Sequence, residues 1–249
     1  YANSISCTNA TASATVLPTG AGTSFTLIPQ AGDDITCTMT NTPQPVQVRV
    51  AKATVGGVNV PFDFTMTNLS AASTSISTSV AGTPVASAPF TVTNRANPVA
   101  ITEPAVAGWQ LTGATCVDAN AAVTGNTGTF GTLAGTVLTV PAALLEPAAD
   151  ITCTFTNEKL ARLVIQKTAI GAGGTVDFTT TGGLTPATFA LSPALPATPT
   201  VSQTFADLVP GTYTITESAA ASFRLTDLTC TAAGTSAPGS PDSRRRRRG

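Results

Sequence analysis

The chain has 249 residues, of which only 10% are charged, with no histidine and a formal net charge of −1. Without imidazole and with so few carboxylates and amines, most of the material of acid–base catalysis is missing, and an enzyme is not expected. Low net charge with abundant Thr, Ala and Val excludes the disordered class, and no apolar run reaches the ~18–20 residues that carry a helix across a bilayer.

In chain order, residues 1–43 contain SISC and DITCTMTN, which read as the closing strands of a domain without its opening ones; between them PTGAGTSFTL reads as a turn and a strand. Residues 44–157 follow as a complete set of strand candidates: VQVRVAK, FDFTMTN, APFTVTN, VAITE, WQLTGATC, GTVLTV and ITCTFTN. Each alternates apolar residues with Thr, and Gly, Pro or Asn clusters separate them. The stretch PAALLEPAAD, bracketed by prolines, is expected to be a single turn or loop. Residues 158–233 restart the series with LVIQK, VDFTTT, ATFAL, TVSQTF, GTYTITE and FRLTDLTC, and no second ITCTFTN appears. Residues 234–249 are a small-residue and Pro tail ending in Arg244–Arg248.

The restart is a duplication. Phe64 matches Phe178, Glu103 matches Glu217, Trp109 matches Phe223 and Cys116 matches Cys230, all at one offset of 114 positions. A constant offset over such a span sets the domain size before any strand is assigned. Seven short strands with turn signals between them predict an all-β fold of tandem antiparallel β-sandwiches, one complete and one split between the two ends.

The cysteines follow the repeat. Cys7 with Cys37 and Cys116 with Cys153 occupy equivalent places, which predicts two structural disulfides and an exported protein, while Cys230 is left over. The spacing is not that of a zinc site, which uses short C-x-x-C steps and usually His. No metal or cofactor is expected. With neither an initiating Met nor a signal peptide, a processed or truncated product is expected.

With the repeat aligned, DLVPGTYTITESAAASF (207–223) resembles the L-x-x-G-x-Y-x-I-x-E signature of collagen-adhesin B-type domains, the prealbumin-like (transthyretin-like) sandwiches of bacterial surface adhesins and pilus-type fibres. The match is looser in ANPVAITEPAVAGW (96–109), which lacks the Gly and Tyr, and this chain departs from the family in its ITC cysteines. The resemblance implies an isopeptide bond between a first-strand Lys and a last-strand Asn beside a Glu. Position by position these are Lys52, Asn157 and Glu103 in the complete repeat. In the split repeat they are Lys167, Glu217 and, if residues 1–43 supply the last strand, Asn41, which would make the bond one between subunits.

Scarcity in the sequence points the same way. Of three lysines, Lys52 and Lys167 hold equivalent positions, and of four glutamates two are Glu103 and Glu217. A sandwich core disfavours such side chains unless they are paired, and burial moves Lys toward the neutral amine that can attack a carboxamide. The competing reading is that Lys guards a strand edge and Glu merely ends a strand.

Other features have plainer readings. Asp34 and Asp150, each before an ITC, suit turns better than a calcium site, which needs six or more oxygens. Trp109 and Phe223 suit the core better than a sugar platform. Asn9-Ala-Thr and Asn68-Leu-Ser match a glycan-acceptor pattern. Arg244–Arg248, with no aromatic interleaved, suits a disordered tail or sorting-signal remnant better than specific nucleic-acid binding.

The function expected is a structural subunit of an extracellular bacterial filament or surface fibre, secreted or on the cell surface. Its partners are copies of itself, joined head to tail by strand complementation, with Cys230 unpaired or between subunits. Cell-surface or matrix polysaccharide is a further candidate partner. The alternatives are a non-polymerising stalk segment of a long repeat adhesin and a carbohydrate-binding module.

Overall fold

A computed structural model describes residues 1–219 and 223–232. Alternation of apolar residues and Thr, broken by Gly and Asn turns, produces short antiparallel strands throughout. Contacts divide the chain into two compact units, residues 1–106 with 111–157, and residues 107–110 with the chain from 158 onward.

The N-terminal segment is a three-stranded sheet of β1 (Ala2–Asn9), β2 (Thr19–Ala21) and β3 (Ile35–Thr42), in the order β2-β1-β3. β1 and β3 pair along their whole length, with Cys7 opposite Cys37. The expected strand in PTGAGTSFTL falls on Thr19–Ala21 and not on the SFTL part, because only the former reaches β1.

The central repeat comprises β4 (Gln47–Val55), β5 (Pro61–Thr67), β6 (Ser73–Ser77), β7 (Val85–Ala86), β8 (Phe90–Thr91), β9 (Val99–Thr102), β10 (Trp109–Asp118), a one-turn helix α1 (Ala121–Thr124), β11 (Thr132–Ala134), β12 (Val137–Val140) and β13 (Asp150–Lys159). One sheet runs β10-β13-β4-β7, with β8 also on β4, and the other runs β11-β12-β9-β5-β6. Their inner faces supply the core: Val48 and Val50 from β4, Phe62 and Phe64 from β5, Ile101 from β9, Leu138 from β12, and Ile151 and Phe155 from β13, all essentially inaccessible. Phe64 and Phe155 meet edge to face with centroids 5.1 Å apart, joining the two sheets. PAALLEPAAD contributes a single 3-10 turn at Ala142–Leu144.

The second unit has β14 (Ala161–Thr168) paired with β17 (Thr200–Leu208), and β15 (Val176–Thr181) flanked by β16 (Thr188–Leu191) and β18 (Thr214–Glu217). Val176, Phe178 and Leu191 form its core, with Phe189 stacked on Phe178 and Phe223 packed alongside. Here the structure corrects the expectation for FRLTDLTC: residues 223–230 form no strand. In the central repeat the equivalent β10 is an edge strand whose neighbour in the sheet is β13. Among the described residues the second unit has no β13 counterpart, and alternation alone leaves residues 223–230 no ladder to join. The tail expectations for residues 234–249, including Arg244–Arg248, lie outside the described residues.

Candidate cross-linking site

β4 and β13 lie side by side in the central sandwich, and β9 belongs to the facing sheet. Lys52 of β4, Asn157 of β13 and Glu103, which follows β9, all turn inward and are 0%, 2% and 1% exposed. They close a ring of three hydrogen bonds. Lys52 Nζ donates to Glu103 Oε2 at 2.8 Å and to Asn157 Oδ1, and Asn157 Nδ2 donates to Glu103 Oε1 at 2.5 Å. The Phe62 ring lies 4.2 Å from Lys52 Nζ and walls the site with apolar surface. Burial pushes the Lys52 amine below its usual range, opposed by the hydrogen bond and charge of Glu103. Among the described residues, buried side-chain polar atoms all have partners, so the group is satisfied while fully withdrawn from water.

The second unit repeats part of this arrangement. Lys167 pairs across β14–β17 with Val201, as Lys52 pairs across β4–β7 with Val85. Lys167 Nζ donates to Glu217 Oε1 at 2.7 Å, with the two side chains 13% and 23% exposed. Asn41 is exposed on β3. That strand is the edge of its sheet, and β14 has β17 as its one sheet neighbour among the described strands.

Both disulfides join the expected partners, Cys7 to Cys37 and Cys116 to Cys153, each with Cα atoms 4.0 Å apart. Cys230 is free and exposed. The surroundings of the two bonds differ. Along β13 the inward residues Ile151, Cys153, Phe155 and Asn157 are all buried, whereas the matching Ile35, Cys37, Met39 and Asn41 of β3 are partly or fully exposed.

Several polar contacts had no signal in the sequence beyond residue type. The Asp118 carboxylate is one. Its Oδ1 accepts the N–H groups of Asn120 and Asp150 at 2.9 Å, while Oδ2 accepts from Thr124 at 2.7 Å and Asn126 at 3.0 Å. Burial pushes this carboxyl up, but the four hydrogen bonds outweigh it and hold it below the usual carboxylate range. Asn9 does the same work in the N-terminal sheet, its Oδ1 accepting the N–H groups of Thr11 and Asp34. Only alignment of the two Cys-x-Asp/Asn stretches reveals the correspondence. Asp33 nearby is held well below the usual range by hydrogen bonds from Ser13, Thr15 and the Gln30 N–H.

Asp34 immediately precedes β3, and Asp150 opens β13 in an ion pair with Arg49. Trp109 is only 9% exposed, which suits core packing better than a sugar platform. Asn68 Nδ2 is committed to the carbonyls of Asn94, Asn97 and Pro98, so the sequon reading does not fit there. Buried Thr54 and Thr78 share a hydroxyl–hydroxyl bond between β4 and the turn after β6.

Two facing antiparallel sheets with the strand order of the central repeat define a prealbumin-like sandwich. A family described as "Prealbumin-like fold domain" matches residues 48–159 and 163–248, and a second family of the same description matches residues 1–43. The chain belongs to the prealbumin-like fold domain family. Among solved structures it is similar to one titled "Structure of the Streptococcal ancillary pilin", at 15% identity and a TM-score of 0.28, over 88% of this chain and 67% of that one. A search of curated proteins found no match.

Proposed function

We propose that this protein is a structural subunit of an extracellular bacterial filament or surface fibre, assembled by strand complementation and hardened by lysine–asparagine isopeptide bonds. The observation that carries the reading is a pair of complementary vacancies. β3 has a free edge and an exposed inner face, on the side where β13 meets β4 in the intact repeat. Among the described strands, β14 has a free edge where β4 meets β13. Each has what the other lacks, and unpaired edges of this kind favour joining to another chain. Such a contact is heterologous and propagates head to tail. In this reading residues 1–43 are the donor segment, 44–157 the intact repeat and 158–233 the acceptor.

In the intact repeat the ring of hydrogen bonds supports bond formation directly. In its neutral form the Lys52 amine attacks Asn157 Cγ, the Nζ–Cγ bond forms and the Cγ–Nδ2 bond breaks. Glu103 takes the proton shed by Nζ through one oxygen and supplies one to Nδ2 through the other, and ammonia leaves. Once β3 docks on β14, Asn41 would complete the Lys167–Glu217 pair in the same way and link one subunit to the next.

The test is the size of the protein in solution and in a reducing, denaturing gel. Multiples of the 24.9 kDa chain that survive reductant and denaturant, and disappear in Asn41→Ala, are expected. A chain that stays monomeric at high concentration, with β3 deleted or intact, overturns assembly and favours a stalk segment whose open edges are closed within a longer repeat array.

A further inference from the structure

The split repeat holds three cysteines where the intact one holds two. Cys7 and Cys230 both align with Cys116, and Cys37 aligns with Cys153. In the intact repeat Cys116 and Cys153 are fully buried, so their bond is sealed from any thiol. In the N-terminal sheet Cys7 is buried at 7% exposure, but its partner Cys37 is exposed. Cys230 is exposed, free, and carried by residues 223–230, which have the β10 pattern yet form no strand.

We propose that docking of β3 into the second unit of another copy is accompanied by thiol–disulfide exchange, in which Cys230 replaces Cys7 as the partner of Cys37. This rests on the assembly reading above. The arriving β3 supplies the β13-type strand that residues 223–230 lack. Those residues then displace β1 from the edge of β3 that it holds, as β10 lies on β13. The Cys230 thiolate attacks the exposed Cys37 Sγ, the Cys37–Cys230 bond forms, and Cys7 leaves as a thiolate that takes up a proton. One disulfide is consumed and one made, so no oxidant is needed. Attack falls on Cys37 because that residue is exposed while Cys7 is buried, and an exposed disulfide is the labile kind. The product reproduces in the split repeat the Cys116–Cys153 linkage of the intact one, and converts a strand contact between copies into a covalent one that reductant cleaves.

The experiment mixes equal amounts of heavy-isotope-labelled and unlabelled protein, lets the mixture assemble, traps thiols with an alkylating agent under acid quench, and maps disulfides without reduction. The expected result is a Cys37–Cys230 peptide of mixed label, with alkylation moved from Cys230 to Cys7. In Cys230→Ser the protein should still assemble, with Cys7–Cys37 intact. Assembly of the parent protein with Cys7–Cys37 intact and Cys230 alkylated overturns the exchange but leaves assembly standing. Cys37–Cys230 peptides of single label only would place the exchange within one chain and overturn the link between copies. Absence of assembly defeats both.

Discussion

Replacing Lys52, Glu103 and Asn157 together by Met, Leu and Leu separates a covalent cross-link from a buried polar cluster. If the three residues are held only by hydrogen bonds, exchange of a buried ion pair for apolar groups of similar volume is neutral or stabilising, by about 1–4 kcal/mol. If Lys52 and Asn157 are bonded, the triple variant loses a cross-link that closes a loop with a sequence separation of 105. In the chain-entropy model that closure stabilises by about 4.8 kcal/mol. The Cys116–Cys153 bond already shortcuts 37 of those positions, which trims the figure only to about 4.4 kcal/mol because the dependence on length is logarithmic. For a repeat of this size that is a fall in Tm on the order of 15–20 °C. Urea unfolding and calorimetry, with the disulfide kept oxidised, read the difference. Intact mass supplies the independent check, since the bonded parent lacks one ammonia relative to its sequence and Glu103→Ala restores it. A parent of full mass, together with a triple variant as stable as it or more stable, would refute the isopeptide.

Three further outcomes are expected. Cys116→Ala with Cys153→Ala should cost the central repeat about 3–4 kcal/mol from the loop it releases, measured by chemical denaturation, whereas Cys7→Ala with Cys37→Ala should leave that transition in place. Thr78→Val should cost about 1–3 kcal/mol by orphaning the buried Thr54 hydroxyl, and adding Thr54→Val should recover most of it; an additive double variant would contradict the pairing. Asp118 has a native carboxyl held below its unfolded value, so its contribution is present above about pH 3.9 and is lost as pH falls through the lower native value. Asp118→Asn should therefore lower stability at neutral pH and flatten its acid limb; an unchanged pH profile would show that the clamp carries no such linkage.

The amino-acid sequence alone determined the repeat, and the repeat carried most of the reading. Equivalent positions paired the cysteines, while Lys52, Glu103 and Asn157 came from the resemblance to collagen-adhesin B-type domains, supported by the scarcity of lysine and glutamate in the chain. Alternation with Thr named the strands of the central sandwich, because a half-buried strand writes its face into every second residue. What alternation cannot encode is whether a partner strand exists. FRLTDLTC has the pattern of β10 and forms no strand, since its hydrogen bonds would have to come from a β13 counterpart far away in sequence. DITCTMTN41 has the pattern of β13, yet its inner face stays exposed. The same holds for the side chains. Asp118 and Asn9 are unremarkable residues in the sequence and become loop clamps only where two turns meet. Asn68 loses its sequon meaning once three carbonyls engage its amide. Local pattern sets which face a strand would bury; only the tertiary structure decided which edges are paired and which faces are covered, because both are supplied by residues distant in sequence.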